Sequence, residues 1–178
     1  MNDLEKLTDQ LTAVAQTRWV WRNGTLPFDV RSYITNICPP KEYIVSVRCL
    51  VTQDDSVLVV RTQDDETHVL PGGHIELDES FEDAIRRELM EETGWSVSDL
   101  SYEGFICLTR LVPKPKEIQA PHPHFCHLIY SAQAKAHDAS IKLDDDYEQS
   151  SDFIRYNAVI EMLDDPINLS FLKSVWEA

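Results

Sequence analysis

The sequence has no long hydrophobic run, and this absence excludes the commonest class of membrane protein. None of its 178 residues belongs to a stretch that approaches the roughly 20 apolar residues a membrane-spanning helix needs. The first residues, Met1 to Glu5, also lack the basic start of a secretory signal peptide. We therefore predict a cytoplasmic protein.

Basic residues are scarce relative to acidic ones. Lys and Arg total 16 against 31 Asp and Glu, which gives a formal net charge of −15 at pH 7. Proteins that bind nucleic-acid polymers usually carry a basic patch, so this charge argues against such a partner. The negative charge also means that a phosphate-bearing ligand can bind only where metal ions, or a few local Arg and Lys residues, make the electrostatic potential positive.

Cysteine is sparse, and its spacing argues against two kinds of site. The four cysteines form no Cys-x-x-Cys pair, which disfavours a zinc site and a disulfide framework, so we predict reduced thiols. The remaining composition, 43% hydrophobic and 26% charged, is ordinary for a globular protein. A chain of this length favours one domain with a sizeable core.

The most informative segment runs from Leu70 to Trp95. It opens with Pro71-Gly72-Gly73, which predicts a turn because Pro fixes φ and Gly permits positive φ. The residues that follow predict a helix, with Ser80 as its N-cap and Gly94 as its C-terminal stop. The segment is therefore a glycine turn leading into a capped helix.

The predicted helix carries an anomaly on its buried face. Apolar residues between Phe81 and Ile85 follow the i, i+3, i+4 spacing of a buried stripe. The same stripe then continues onto Glu88 and Glu92, and Glu91 lies beside them. Since successive residues of a helix are about 100° apart, these three side chains lie within an arc of roughly 100° on the helix surface. Clustered carboxylates repel one another unless a cation lies between them, and Mg²⁺ prefers oxygen ligands of this kind.

A plainer interpretation of the helix is a solvated acidic face, on which Arg87 pairs with Glu91 at i, i+4. The whole segment favours the first interpretation because every fixed position of a known signature is filled, with Trp95 in its final apolar position. The segment resembles the complete signature of the Nudix hydrolases, and here it reads Gly73-x5-Glu79-x7-Arg87-Glu88-Leu89-x-Glu91-Glu92-x-Gly94-Trp95.

The resemblance implies an enzyme that hydrolyses a nucleoside diphosphate linked to another moiety, with Mg²⁺ or Mn²⁺ as cofactor. It implies that Glu88, Glu91 and Glu92 are metal ligands and catalytic residues, and that the backbone carbonyl of Gly73 completes the metal site. Glu88 is the candidate within the signature to accept a proton from the attacking water. The family sometimes uses a carboxylate of a later loop instead, and the candidates here are Asp144, Asp145, Asp146 and Glu148.

Other residues are predicted to support the site or to contact the substrate. Arg87 can pair with Glu79 and hold the loop against the helix, and Gly72 lets the backbone approach the phosphates. Arg48 and Arg61 are the candidate substrate contacts, with plain solvation as the alternative for each. The partner implied is a small-molecule nucleoside diphosphate derivative.

The rest of the chain predicts an α/β fold. Residues 3–19 have the apolar spacing of an amphipathic helix, whereas residues 23–40 have the turn signals of a connector. Residues 142–152 read as an acidic loop. Strands are predicted at 42–51, 57–60, 68–70, 102–112, 125–134 and 153–156, and helices at 157–163 and 169–176.

The resemblance narrows this prediction to the Nudix fold, an α/β/α sandwich around a mixed β-sheet, here with an additional N-terminal helix. We divide the chain into residues 1–40, a helix and connector packed on the domain, and residues 41–178, the Nudix hydrolase domain. A homodimer is consistent with the additional helix.

Three histidines allow a second metal hypothesis. Alternating residues of an extended segment share a face, so His122 and His124 could chelate zinc, whereas His127 would point the other way. Substrate contact by His124 or simple exposure is the favoured alternative.

Two rival functions remain for the whole chain. A non-catalytic nucleotide-sensing module on a Nudix fold usually loses signature carboxylates, and this chain has all of them. A prenyl diphosphate isomerase on the same fold is disfavoured because such enzymes depart from the signature.

Overall fold

The structure is a computed structural model that describes residues 2–21, 24–62, 66–114, 120–141 and 148–177, with only the backbone of residues 148 and 149. Within these ranges, no helix combines the length and the apolar character that crossing a membrane requires.

Four helices and eight strands make up the described chain. The helices are α1 Asp3–Gln10, α2 Phe81–Thr93, α3 Tyr156–Met162 and α4 Pro166–Trp176, and a 3₁₀ turn lies at Lys41–Tyr43. The strands are β1 Ala15–Trp21, β2 Leu26–Ile34, β3 Ile44–Gln53, β4 Ser56–Thr62, β5 Thr67–His68, β6 Trp95–Arg110, β7 His124–His137 and β8 Glu148–Arg155.

The strands form one mixed sheet. Their order is β1-β2-β6-β7-β3-β4-β5, and β8 pairs with β4 outside this path. The β3–β7 pair is parallel, whereas the other strand pairs are antiparallel. Helices α3 and α4 cover one apolar face, and α1 and α2 cover the other. This arrangement confirms the prediction of helices around a mixed β-sheet with an N-terminal helix.

The sheet divides between β3 and β4, and the glycine turn lies at the division. The two strands pair only next to their hairpin, at Thr52 to Val57 and Gln53 to Ser56. Farther along, the segment after β5 takes the place beside β3. The Cys49 amide donates to the Pro71 carbonyl at 2.9 Å, and the Val47 amide donates to the Gly73 carbonyl at 3.0 Å. The glycine turn is therefore held by β3, an interior strand of the sheet.

Helix α2 begins and ends where the sequence predicts. The Ser80 hydroxyl accepts a hydrogen bond from the Asp83 amide and caps the first turn. Gly94 ends the helix in the left-handed conformation, with a φ of 73°. The buried residues Ala84, Ile85 and Leu89 pack against the sheet, which fixes the rotation of the helix about its axis.

Three predictions of local structure are wrong. The N-terminal helix stops at Gln10, and residues 15–19 of its predicted span belong to edge strand β1. The predicted connector contains β2, which pairs with β6 inside the sheet. Residues 148–152 of the predicted acidic loop belong to β8, whereas residues 142–147 lie outside the described residues. In each case pairing with a distant strand decides the structure, and local sequence does not encode it. The division of the chain at residue 40 stays a prediction.

Candidate active site

The three signature carboxylates lie at the C-terminal half of α2, on the side that its first turns bury. Glu88 keeps only 14% of its side chain exposed and Glu91 keeps 33%. Glu92 is also partly buried. Burial of charged groups is costly unless they are paired, so each carboxylate requires a partner.

Arg87 supplies the partner for two of these carboxylates. Its Nη1 donates to Glu88 at 2.9 Å and to Glu91 at 3.1 Å. Its Nε and Nη2 bind the two oxygens of Glu79, each at 2.9 Å, and Nη2 also donates to the His74 carbonyl at 3.0 Å. One guanidinium therefore ties the helix to the loop that follows the glycine turn.

This network shifts the protonation of its members. The hydrogen bonds from Arg87 lower the pKa of Glu79, and the bonds to Glu79 and Glu88 raise the pKa of Arg87. Both groups therefore stay charged near neutral pH, which keeps the loop and the helix joined.

Glu92 contacts the glycine turn itself. Its carboxylate accepts a hydrogen bond of 2.7 Å from the Gly72 amide. Gly72 has a φ of 132°, and a Cβ at this position would collide with the Val47 carbonyl. A Cβ at Gly73 would collide with the Glu88 carboxylate. The two glycines therefore let the carboxylates approach the backbone closely.

The chemistry of this donor set fits a hard divalent cation. Carboxylate oxygens and a backbone carbonyl are the ligands that Mg²⁺ takes. The Gly73 carbonyl accepts one bond, from the Val47 amide, and a carbonyl has a second lone pair. Across the described ranges, however, no three His, Cys, Asp or Glu side chains are grouped closely enough to hold a metal ion together. Arg87 contacts one oxygen of Glu88 and one oxygen of Glu91, and an ionised carboxylate has further lone pairs on its two oxygens with which to bind a cation.

The two candidate substrate arginines lie in different places. Arg48 is partly buried on β3, and its Cα lies beside Gly72. Arg61 is exposed near the end of β4, opposite Thr67 and Ser150. The structure therefore brings Arg48, but not Arg61, next to the glycine turn.

The candidate general bases of the later loop cannot be placed. Asp144, Asp145 and Asp146 lie outside the described residues. Glu148 is described by its backbone, which pairs with Thr62 at the start of β8.

The three histidines of the zinc hypothesis lie in separate environments. His122 bonds to the Val112 carbonyl at 3.1 Å, and His124 bonds to Thr109 at 3.0 Å. His127 is buried, with 6% exposure, and burial holds its pKa well below the usual value. The histidines form no metal group within the described ranges, so the zinc hypothesis gains no support.

A cavity of about 650 Å³, which no sequence pattern predicts, lies beside the signature segment. Five of its seven lining residues are apolar, and Lys41 and His74 are polar. The lining residues are Lys41, Ile44, Val45, His74, Ile75, Phe81 and Ala120. They come from three separate segments, so only the fold brings them together.

Comparison with known proteins gives a family and two partial relatives. The family model described as the NUDIX domain matches residues 42–173. An "NAD-capped RNA hydrolase NudC" of Pseudomonas putida (strain GB-1) is 30% identical over 135 residues, which cover 75% of this chain and 42% of that protein. A "MutT-like protein" of Streptomyces ambofaciens is 41% identical over 56 residues, which cover 32% of this chain and 36% of that protein. The chain thus spans less than half the length of these curated relatives.

Solved structures share the fold. A NUDIX hydrolase from Nitrosomonas europaea matches with a TM-score of 0.57 at 22% identity, covering 76% of this chain and 88% of that one.

Proposed function

The chain belongs to the Nudix family, and on that premise we propose that it is a metal-dependent pyrophosphohydrolase. Its substrate is a small nucleoside diphosphate linked to another moiety, and its cofactor is Mg²⁺ or Mn²⁺. The observation that carries this proposal is the set of partly buried carboxylates, Glu88, Glu91 and Glu92, placed against a glycine turn.

The reaction is the attack of water on one phosphorus of the pyrophosphate, with cleavage of the bridging P–O bond. A bound divalent cation would neutralise the phosphates and lower the pKa of a bound water. Glu88, Glu91, Glu92 and the Gly73 carbonyl would hold that cation. Glu88 also accepts the proton that the water loses, unless a carboxylate of the later loop does so. The bridging oxygen leaves on the second phosphate product.

The supporting residues act by holding these groups in place. Arg87 joins α2 to Glu79 and to the His74 carbonyl, and so fixes the distance between the carboxylates and the glycine turn. Gly72 donates its amide to Glu92. Arg48, beside this turn, is the better placed of the two arginines to bind a substrate phosphate, and Arg61 is the second candidate.

The net charge of −15 favours a small substrate over a nucleic-acid polymer. The relative named as an NAD-capped RNA hydrolase directs attention to NAD as a small test compound, since NAD contains a pyrophosphate between two nucleosides. A cytoplasmic location and a homodimer remain predictions.

A substrate panel tests the proposal. NAD, ADP-ribose, nucleotide sugars, dinucleoside polyphosphates and modified dNTPs are incubated with the protein and Mg²⁺ or Mn²⁺, and phosphorylated products are measured. We expect turnover of at least one compound and its loss when a chelator removes the metal. Tight binding without any turnover would instead favour the nucleotide-sensing module.

A further inference from the structure

Two cysteines face each other across neighbouring strands. In the register of β6 and β7, Cys107 lies directly opposite Cys126. Both side chains belong to the core cluster that α1 and α2 cover, and they are 8% and 0% exposed. Both are free thiols. The two residues are far apart in the sequence, so only the pairing of the strands brings them together.

The pairing geometry suits a covalent link between these cysteines. In the same register, the Arg110 amide donates to the Pro123 carbonyl at 2.9 Å. Hydrogen-bonded and non-hydrogen-bonded pairs alternate along an antiparallel ladder, and Cys107 lies three steps from Arg110. Cys107 and Cys126 are therefore a non-hydrogen-bonded pair. The Cα atoms of such a pair lie about 4.5 Å apart, within the roughly 4.4–6.8 Å that disulfides span.

The two thiols also interact with each other. The hydrogen bond from the Cys126 thiol lowers the pKa of the Cys107 thiol, and Arg31 adds to this effect, whereas burial opposes it. Arg31 lies opposite Cys107 on its other side, in β2. The bond between the thiols and burial together raise the pKa of Cys126. Cys107 is therefore the sulfur that reacts as a thiolate, and Cys126 keeps its proton.

Buried thiols are often plain core residues, because cysteine packs as a small hydrophobe. Cys49 fits that description, since it belongs to the same cluster, is 0% exposed and lies opposite Tyr130 in the register. Burial raises the pKa of Cys49. Cys107 differs because a second sulfur lies opposite it and because its pKa is lowered. These two features favour oxidation to a disulfide.

We propose that Cys107 and Cys126 form a redox-sensitive modification site, at which hydrogen peroxide converts the two thiols to a cross-strand disulfide. A small oxidant is required because Cys107 is almost fully buried. The disulfide joins β6 to β7 inside the sheet. The inference does not depend on the hydrolase function proposed above.

The reaction has two steps. The Cys107 thiolate attacks one oxygen of the peroxide, the O–O bond breaks, and Cys107 becomes a sulfenic acid while hydroxide leaves and takes up the proton that Cys107 lost. The Cys126 sulfur then attacks the Cys107 sulfur, the S–O bond breaks, and the hydroxyl group leaves as water with the proton of Cys126. The two sulfurs lose two electrons in total, and the peroxide gains them.

Peroxide treatment of the folded protein tests the proposal. The peroxide is removed with catalase, free thiols are alkylated with iodoacetamide in urea, and the intact protein and its proteolytic peptides are measured by mass spectrometry without reduction. We expect Cys107 and Cys126 to lose two hydrogen atoms together and to appear in linked peptides that dithiothreitol separates. The chain unfolded in urea is the positive control for the oxidant.

Matched variants separate the pair from the other cysteines. Cys49→Ala and Cys38→Ser should form the same linked peptides, because neither residue belongs to the pair. In Cys126→Ala, Cys107 should take up oxygen atoms without forming a link. In Cys107→Ala, Cys126 should be oxidised about tenfold or more slowly than in the wild type, because it has lost the more reactive thiol. Urea unfolding confirms that the variants are folded.

The wild-type result decides the proposal even if a variant fails to fold. Full alkylation of both cysteines in the folded protein, under conditions that oxidise the unfolded chain, would overturn the site. Oxygen uptake at Cys107 of the wild type without a link to Cys126 would also overturn it. Linked peptides in the wild type, Cys49→Ala and Cys38→Ser would support it, whatever the substrate panel shows.

Discussion

Arg87 makes the densest set of polar contacts at the site, since it binds three carboxylates and a backbone carbonyl. Lys has one ammonium and cannot reproduce this fork. We therefore expect Arg87→Lys to raise the Mg²⁺ concentration for half-maximal turnover about tenfold or more, because the carboxylates lose their fixed orientation. A metal titration of activity measures this.

Arg86→Lys is the matched control, since Arg86 is the adjacent residue and donates to the Val97 carbonyl away from the carboxylates. It should leave the metal requirement unchanged. Equal metal requirements in the Arg87→Lys variant and the wild type would show that Arg87 has no part in positioning the ligands.

Gly72 is required by backbone geometry. Gly72→Ala places a Cβ against the Val47 carbonyl at a φ of 132°, so we expect it to lower the free energy of unfolding by about 3 kcal/mol or more. Gly24→Ala is the control, because Gly24 has a φ of 88° with open space around it, and it should cost only about 1 kcal/mol. Urea denaturation compares the two, and equal costs would show that the contact with Val47 is relieved easily.

The sequence was sufficient to predict the residues that one helix and its preceding turn bring together. Glu79 and Arg87 are eight residues apart in one segment, and the structure pairs them. Ser46 and His127 belong to different strands, and no local spacing relates them. In the sequence, Ser46 appears only as a polar residue inside an apolar run. That pattern does not indicate which residue of another strand lies opposite it.

At the scale of elements, α1 is part of the core although it is only eight residues long. Its Leu4 is 1% exposed and packs in the cluster that α2 also contacts. Leu4→Ala should therefore lower the free energy of unfolding by about 2–5 kcal/mol. Leu77→Ala, at a residue that is 93% exposed, should change it by less than about 0.5 kcal/mol. Similar small effects at both positions would mean that α1 is not docked on the domain.

The mistaken extension of α1 shows why periodicity alone does not define an element. Leu4, Leu7 and Leu11 keep a helical spacing, but from Ala15 to Trp21 burial alternates as in a strand. These residues are rich in β-branched and aromatic side chains, and β2 lies beside them. The prediction of a helix through residue 19 fails because local sequence does not indicate β2, the strand with which β1 pairs.

At the scale of the molecule, buried histidines make stability depend on pH. Partial burial of His68, with a contribution from Arg48, lowers its pKa from 6.5 to about 4. A lowered pKa means that the unfolded chain binds the proton more readily, so stability is complete above pH 6.5 and falls as the pH drops toward 4. The expected loss is up to about 3 kcal/mol.

Urea unfolding at pH 7, 5.5 and 4.5 measures this loss. His68→Gln should reduce the pH dependence and leave the part that His127 contributes, whereas His122→Gln, at an exposed histidine, should leave it unchanged. An unaltered pH dependence in the His68→Gln variant would show that His68 is protonated equally in both states.

The division of the sheet is the property of the whole molecule that creates the site. Because β4 leaves β3 after the hairpin, the glycine turn pairs with β3 in its place, and α2 packs above it. The signature predicts the turn and the helix. It does not predict that β4 pairs with β5 and β8, which leaves the edge of β3 beyond the hairpin available to the glycine turn.

Turnover by carboxylate variants in the presence of Mg²⁺ tests the central claim most directly. Glu92→Gln keeps an oxygen for the Gly72 amide but removes the charge, and Glu82→Gln makes the same change at an exposed residue of the same helix. We predict that Glu92→Gln lowers kcat by more than about 100-fold with an unchanged thermal unfolding curve, because losing a metal ligand should exceed the 10- to 100-fold loss seen for ligand-supporting residues. Glu82→Gln should retain wild-type turnover. Near-normal turnover by Glu92→Gln would contradict the assignment of these carboxylates as the metal site.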